Sequence, residues 1–173
     1  MTLRALATGL AALIALSAPA AAQDMFGSVG SAFGYNSGYT DFEGFYAGIY
    51  GGGFFAGEIS GTLGGTVGMN FALTPQFYAG LEFQAGLTTV DREWGLEGLA
   101  LLRGGVAVTP QVLAYAAAGA GNISGDGVYA LGGGAEFALT DIMHVRGELL
   151  GIGEWGGGMN GARATVGLVW HLD

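Results

Sequence analysis

"QFYAGLEFQAGL", Gln76–Leu87, reads as two interleaved sequences. Phe77, Ala79, Leu81, Phe83, Ala85 and Leu87 are all apolar, whereas Tyr78, Gly80, Glu82, Gln84 and Gly86 are polar or small. Successive side chains of a strand point to opposite faces, so this stretch is a strand with one wholly apolar face and one polar or tightly packed face. The run begins just after Thr74-Pro75. Proline presets φ for a turn and cannot donate to an interior ladder, so it belongs between strands.

The same alternation recurs along the chain. Val67, Met69, Phe71 and Leu73 share one face against Thr66, Gly68 and Asn70. Tyr129, Leu131, Gly133, Ala135, Phe137 and Leu139 alternate with Val128, Ala130, Gly132, Gly134 and Glu136. Met143, Val145, Gly147 and Leu149 alternate with His144, Arg146 and Glu148. Ala164, Val166, Leu168, Trp170 and Leu172 alternate with Arg163, Thr165, Gly167, Val169 and His171. In "LEGLALLRGGVAV" the phase is blurred, because Leu99 and Leu101 share a face with Glu97 and Arg103. The alanine-rich "VLAYAAAGAG" fits either phase.

The hexamer at 72–77, "ALTPQF", returns as "AVTPQV" at 107–112 and "ALTDIM" at 138–143. Each is a tight turn: Thr74-Pro75, Thr109-Pro110 and Thr140-Asp141 are turn residues, with Asp141 expected to bond back to its own backbone. Between these turns lie breaks at 57–61, 90–93, 122–127 and 154–161. Three turns and four breaks make eight strands, near 44–57, 61–73, 76–89, 95–108, 111–123, 127–139, 142–154 and 161–172. Each is about 12–14 residues, enough for a tilted crossing of a bilayer, which takes ~9–11.

Composition points the same way. Apolar residues make up 51% of the chain and charged ones 11%, where ~25% charged is usual for a soluble domain. With 36 glycines, no apolar run after the N-terminal stretch is long enough for a spanning helix. A chain this apolar must then satisfy its backbone between strands, as a closed barrel. The fold class expected is all-β, an eight-stranded antiparallel up-and-down transmembrane β-barrel. Phe71, Phe77, Phe137 and Trp170 lie beside the turns, and Phe55, Trp94, Tyr129 and Trp155 beside the breaks, as two interfacial aromatic girdles would. With both termini periplasmic, the three turns lie at the periplasmic end, and such barrels carry short periplasmic turns and longer outer loops.

The first 22 residues, "MTLRALATGLAALIALSAPAAA", have one arginine, a short apolar run and a small-residue ending. That is the layout of a cleaved signal peptide, with cleavage expected after Ala22. Residues 23–41, rich in Gly, Ser and aromatics, read as a flexible leader, with insertion into the barrel or pairing at a strand edge left open. Residues 42–173 form the barrel. The chain has no Cys and no Lys, so it has neither a disulfide framework nor a thiolate metal site. Its formal net charge of −9 disfavours nucleic acid as a partner.

"GFYAGIYGG" (44–52), "VGMNFALTPQFYAGLEFQAG" (67–86), "LLRGGVAVTPQVLAYAAAGAG" (101–121) and "ALGGGAEFALTDIMHVRGELL" (130–150), in that order, resemble the small eight-stranded outer-membrane barrels of the opacity-protein and OmpA-like superfamily. The likeness is greatest to the alphaproteobacterial outer-membrane β-barrel type and covers about residues 42–173. "TVGLVWHL" (165–172) resembles the barrel-assembly signal, with Thr165, Gly167, Trp170 and Leu172 at its polar, glycine, aromatic and hydrophobic positions. The family usually ends on Phe, and this chain ends Leu172-Asp173. The resemblance implies insertion in the outer membrane of a Gram-negative bacterium. Its implied partners are outer-membrane lipid and the barrel-assembly machinery, with roles from envelope integrity to adhesion to small pores.

Chemistry is expected in the interior. The inward faces hold Glu82, Glu97, Arg103, Glu136, Arg146, Glu148 and Arg163. Hairpin arithmetic about the 140–141 turn brings Glu136 beside Arg146, and Glu82, Arg103, Glu136, Arg146 and Glu148 fall at one height, as a single layer across the lumen. An eight-stranded barrel is only wide enough for side chains to fill it, so the layer reads as a salt-bridged plug, or alternatively as the filter of a narrow small-solute porin. His144 and His171, the only histidines, have no sequence relation that pairs them, and no metal or cofactor site is expected. Ser60 and Ser124 fall at the end opposite both histidines, so no hydrolase triad is expected and the chain is read as a non-enzyme. The glycine runs lack the strand–loop–helix context of a phosphate loop. Glu58, Asp91, Glu93, Asp126 and Glu154 form an acidic outer rim, through which a surface partner is conceivable.

Overall fold

The computed structural model describes residues 42–172 apart from 57, 91 and 92. The expected signal peptide and leader lie outside the described residues. Eight strands follow in order: β1 Gly44–Ala56, β2 Glu58–Ala72, β3 Phe77–Val90, β4 Glu93–Thr109, β5 Val112–Ile123, β6 Asp126–Ala138, β7 Met143–Glu154 and β8 Met159–Leu172. Each pairs antiparallel with the next, and β1 closes on β8 from Phe45↔Leu172 to Phe55↔Ala162. The result is a closed eight-stranded antiparallel up-and-down transmembrane β-barrel, with no open sheet edge to be satisfied by water.

The apolar face of each strand points outward. Phe45, Leu63, Val67, Phe83, Leu102, Leu131 and Val166 each expose about half or more of their surface. The strand of blurred phase resolves with Glu97, Leu99, Leu101 and Arg103 inward and Leu96, Ala100 and Leu102 outward. The alanine-rich strand turns Leu113, Tyr115 and Ala117 inward. Phe137 departs from the girdle expected of it, since it is buried, at 8% exposure, whereas Phe71 and Phe77 are about half exposed.

The repeated hexamers are turns, and the threonine makes them. Thr74 Oγ1 accepts from the Phe77 and Gln76 amides at 3.1 and 3.3 Å, and Thr140 Oγ1 from the Met143 amide at 3.0 Å. The local side-chain bond expected of Asp141 therefore comes from the hydroxyl one residue earlier. The other end departs further from expectation. Its connections are no longer than the turns: β5 and β6 are joined by Ser124-Gly125 alone, and β7 and β8 by residues 155–158. Ser124 and Gly125 both take positive φ (54° and 102°), the geometry that matches a two-residue hairpin turn to strand twist, and Asn122 Oδ1 accepts the Gly125 amide at 2.8 Å. Glycine and asparagine in these breaks are thus compact turn residues rather than long loops.

Inward tyrosines need room that glycines supply. A Cβ at Gly68 would collide with the ring of Tyr46, and one at Gly64 with the ring of Tyr50. The bare backbone of β2 lets both rings lie across it, toward the acids beyond.

Candidate functional site

The lumen at mid-height and toward the turns is a column of ionic side chains, every one almost fully buried. Its lower tier is built on two carboxylates. Glu82 Oε2 on β3 accepts from Tyr46 Oη at 2.5 Å, Arg103 Nη1 at 2.9 Å and Arg146 Nη1 at 2.6 Å. Glu136 on β6 faces Arg146 directly in the β6–β7 register, one residue beyond the Val145 that a count about 140–141 gives. Its Oε2 accepts Arg146 Nε and Nη2 at 3.0 and 2.8 Å, with Arg103 Nη2 at 3.6 Å. Arg103 also donates to Tyr46 Oη at 2.6 Å and lies over the Tyr115 ring at 3.8 Å.

The upper tier centres on Arg163 of β8. Its Nη1 donates to Glu97 at 3.1 Å and its Nη2 to Glu148 at 3.3 Å. Tyr50 and Thr62 hydroxyls both donate to Glu97 Oε1 at 2.7 Å, and Tyr115 donates to Glu148 Oε2 at 3.0 Å. Gln84 joins the tiers: its amide donates to Glu82 at 2.6 Å and Glu148 at 2.9 Å, and its carbonyl accepts from Arg163.

The expected single layer is thus corrected to two linked tiers. Glu148 belongs with Arg163 and Glu97, not with Glu136, because in the β6–β7 hairpin Glu136 pairs with Arg146 while Glu148 pairs with Gly134, two residues farther from the turn. All seven charges expected on the inward faces, Glu82, Glu97, Arg103, Glu136, Arg146, Glu148 and Arg163, enter one connected network. Thr165 and Gly167 of the C-terminal motif line the inside of β8, while Leu172 is exposed on the outer face.

One residue, Phe42, and the pairing of the two histidines were missed. Phe42, ahead of β1, is 1% exposed and accepts a bond from Asn70 Nδ2 through its carbonyl at 3.0 Å. Its ring meets those of Tyr78, His144 and His171 edge-on, closing the turn end of the column. His144 and His171, unrelated in sequence, stand with ring centroids 4.3 Å apart. His144 Nδ1 and His171 Nε2 both lie 2.8 Å from Glu136 Oε1. The β7–β8 register, Met143↔Trp170 and His144↔Val169, could have found them, had the offset at Ile152/Gly153 been known. Ser124 lies in the β5–β6 turn and Ser60 pairs with Phe54 near the same end.

Toward the β5–β6 turn the filling changes. Leu99, Leu101, Ala117, Ile123, Val128, Ala130, Leu150 and Ile152 form an apolar cluster beside the upper tier. Two voids among the described residues beside the column measure about 10 Å³ each, near the lower limit of ~10–15 Å³ for a single water.

No protein-family model matches the chain. No curated protein matches it in sequence. Solved structures do match in shape. Ail, the attachment invasion locus protein of Yersinia pestis, superimposes with a TM-score of 0.55 at 11% identity over 75% of this chain and 99% of its own. The N-terminal β-barrel domain of Pseudomonas aeruginosa OprF gives 0.53 at 14% identity over 75% and 98%. A de novo designed transmembrane β-barrel gives 0.47 at 14% identity over 77% and 99%. Ail and the OprF domain are eight-stranded outer-membrane barrels, and at these identities the likeness is one of fold.

Proposed function

We propose that the chain is an outer-membrane β-barrel with a sealed interior, which stabilises the envelope or presents a small surface for contact. The observation that carries this is the two-tier column, in which carboxylates and guanidiniums meet directly across the lumen with voids of about 10 Å³ beside them. A wet pore needs a file of water past those charges. Direct pairing of every carboxylate in the column engages the charged groups along which such a file would run. In this reading the protein is exported with a cleaved signal peptide after residue 22 and inserted in a Gram-negative outer membrane. Thr165, Gly167, Trp170 and Leu172 address it to the barrel-assembly machinery, and its partners are outer-membrane lipid and a surface contact at the β5–β6 end. It performs no catalysis and needs no cofactor for this role. Membership of the opacity-protein branch is supported by the order of the sequence segments quoted above.

A second reading, a small-solute porin, is favoured by one feature. Arg103 Nε and Arg163 Nε are buried without a partner among the described residues, as they would be if water reached them. Conductance of the folded barrel in a planar bilayer separates the readings. A sealed scaffold stays silent, and Glu136→Gln, which weakens the lower tier, raises leak. Steady small openings in the unmodified protein would overturn the sealed reading.

A further inference from the structure

We propose that Glu136, His144 and His171 form a binding site for a single divalent transition-metal ion of the zinc class, at the turn end of the lumen beneath Phe42. The inference is independent of whether the lumen conducts. Glu136 Oε1, His144 Nδ1 and His171 Nε2 form a nest in which one donor atom from each residue lies within 4.8 Å of the others. Two imidazoles and one carboxylate oxygen suit zinc, copper or nickel. They do not suit calcium, which takes six to eight oxygens, or magnesium, which keeps an octahedral oxygen shell.

Several features favour an ion over a purely hydrogen-bonded cluster. The two nitrogens stand 2.8 Å from Oε1. A zinc ion with bonds of ~2.0–2.1 Å holds tetrahedral ligands ~3.4 Å apart, so each of the two oxygen–nitrogen distances would lengthen by about half an ångström. The carboxylate is divided between two clients. Arg146 and Arg103 address Oε2, leaving Oε1 to the imidazoles alone. Charge favours a cation as well. Four buried carboxylates (Glu82, Glu97, Glu136, Glu148) face three buried guanidiniums (Arg103, Arg146, Arg163), so with neutral imidazoles the column among the described residues holds one negative charge in excess. The outer nitrogens, His144 Nε2 and His171 Nδ1, are buried without a hydrogen-bond partner among the described residues, so no other hydrogen bond ties either ring in place.

For a neutral ring that donates its N–H to Oε1, metal binding at the inner nitrogen moves that proton to the outer nitrogen, with no net proton release. The ligands come from β6, β7 and β8, so the ion would tie three consecutive strands at the end where Phe42 closes the lumen.

The test uses the untagged full chain folded in detergent micelles, with Zn²⁺ and Co²⁺ as probes. Equilibrium dialysis is expected to give one Zn²⁺ per folded barrel with a Kd tighter than about 10 µM. Bound Co²⁺ is expected to show visible d–d bands that Zn²⁺ abolishes. His144→Gln combined with His171→Gln removes every histidine in the chain and is expected to weaken binding at least a hundredfold. Binding below one equivalent, or equal binding in the double variant, overturns the proposal as adventitious. If the double variant does not fold, the wild type still decides. Saturating Zn²⁺ must raise its urea midpoint, because an ion bound only by the folded state stabilises that state. No shift and no Co²⁺ bands overturn the site.

Discussion

The ionic column and the apolar cluster beside it fill the same lumen by opposite means. Around Glu82 and Glu136 the interior is packed with charges that neutralise each other through short bonds. Between β4 and β7, Leu101 and Leu150 are fully buried among Tyr115, Ala117, Val128, Ala130 and Ile152, with no ion among them. The ionic region tolerates no single loss, since a buried charge without its partner is costly even though the intact pair stabilises little. The apolar region depends on volume rather than identity.

Arg146 is the place where the contrast is sharpest. It touches both lower-tier carboxylates, and its guanidinium lies over the Tyr46 ring at 4.9 Å. Arg146→Ala leaves Glu82 and Glu136 sharing Arg103, and should destabilise the folded barrel by about 3–5 kcal/mol in a dry lumen. Arg146→Met, which keeps most of the bulk, should be nearly as damaging. Urea unfolding in lipid vesicles would measure both. If the methionine variant unfolds like wild type, charge pairing is not what holds this region.

Leu150 provides the matching test on the apolar side. Leu150→Ala opens a cavity under the β5–β6 turn and should cost about 3 kcal/mol, within the range for such truncations. Leu150→Met should cost less than about 1.5 kcal/mol, because volume is conserved. The two methionine variants together break the comparison cleanly if their order is reversed.

The wall of the barrel was legible in the sequence because its physics is local. Period two places Phe83 outside and Glu82 inside without knowledge of any partner, and a turn at 140–141 brings Glu136 within one residue of Arg146 by counting. The filling was less legible because it depends on strands distant in sequence. Glu148 and Arg163 meet on adjacent strands, but Gln84 reaches both tiers only through the stagger of the closed barrel. Leu99 and Leu101 hid the phase of β4 because an inward face may be apolar where it meets an apolar cluster. Phe42 lies before the first strand, where alternation carries no signal. The breaks at 122–127 and 154–161 looked like loops because glycine marks both a loop and a two-residue turn, and only the backbone angles tell them apart.

The repeated hexamers offer the finest test, because three near-identical turns are not bonded alike. Thr74 accepts two amides, at 3.1 and 3.3 Å, and Thr140 accepts one at 3.0 Å. Thr109 has only the Gln111 amide at 3.3 Å, beside an offset in the β4–β5 register. Each of these bonds competes with water, so each contributes about 0.5–1.5 kcal/mol at most. Thr74→Ala should therefore cost about 1 kcal/mol, Thr140→Ala slightly less, and Thr109→Ala about half as much or less, as shifts of the urea midpoint. Valine at the same positions keeps the branched shape without the acceptor, so it should reproduce the alanine order if the hydroxyl is what closes the turn. Equal costs at all three positions would mean that the threonine serves strand propensity instead. The recurrence of "LT" and "VT" at each turn would then reflect how strands end rather than how turns are held.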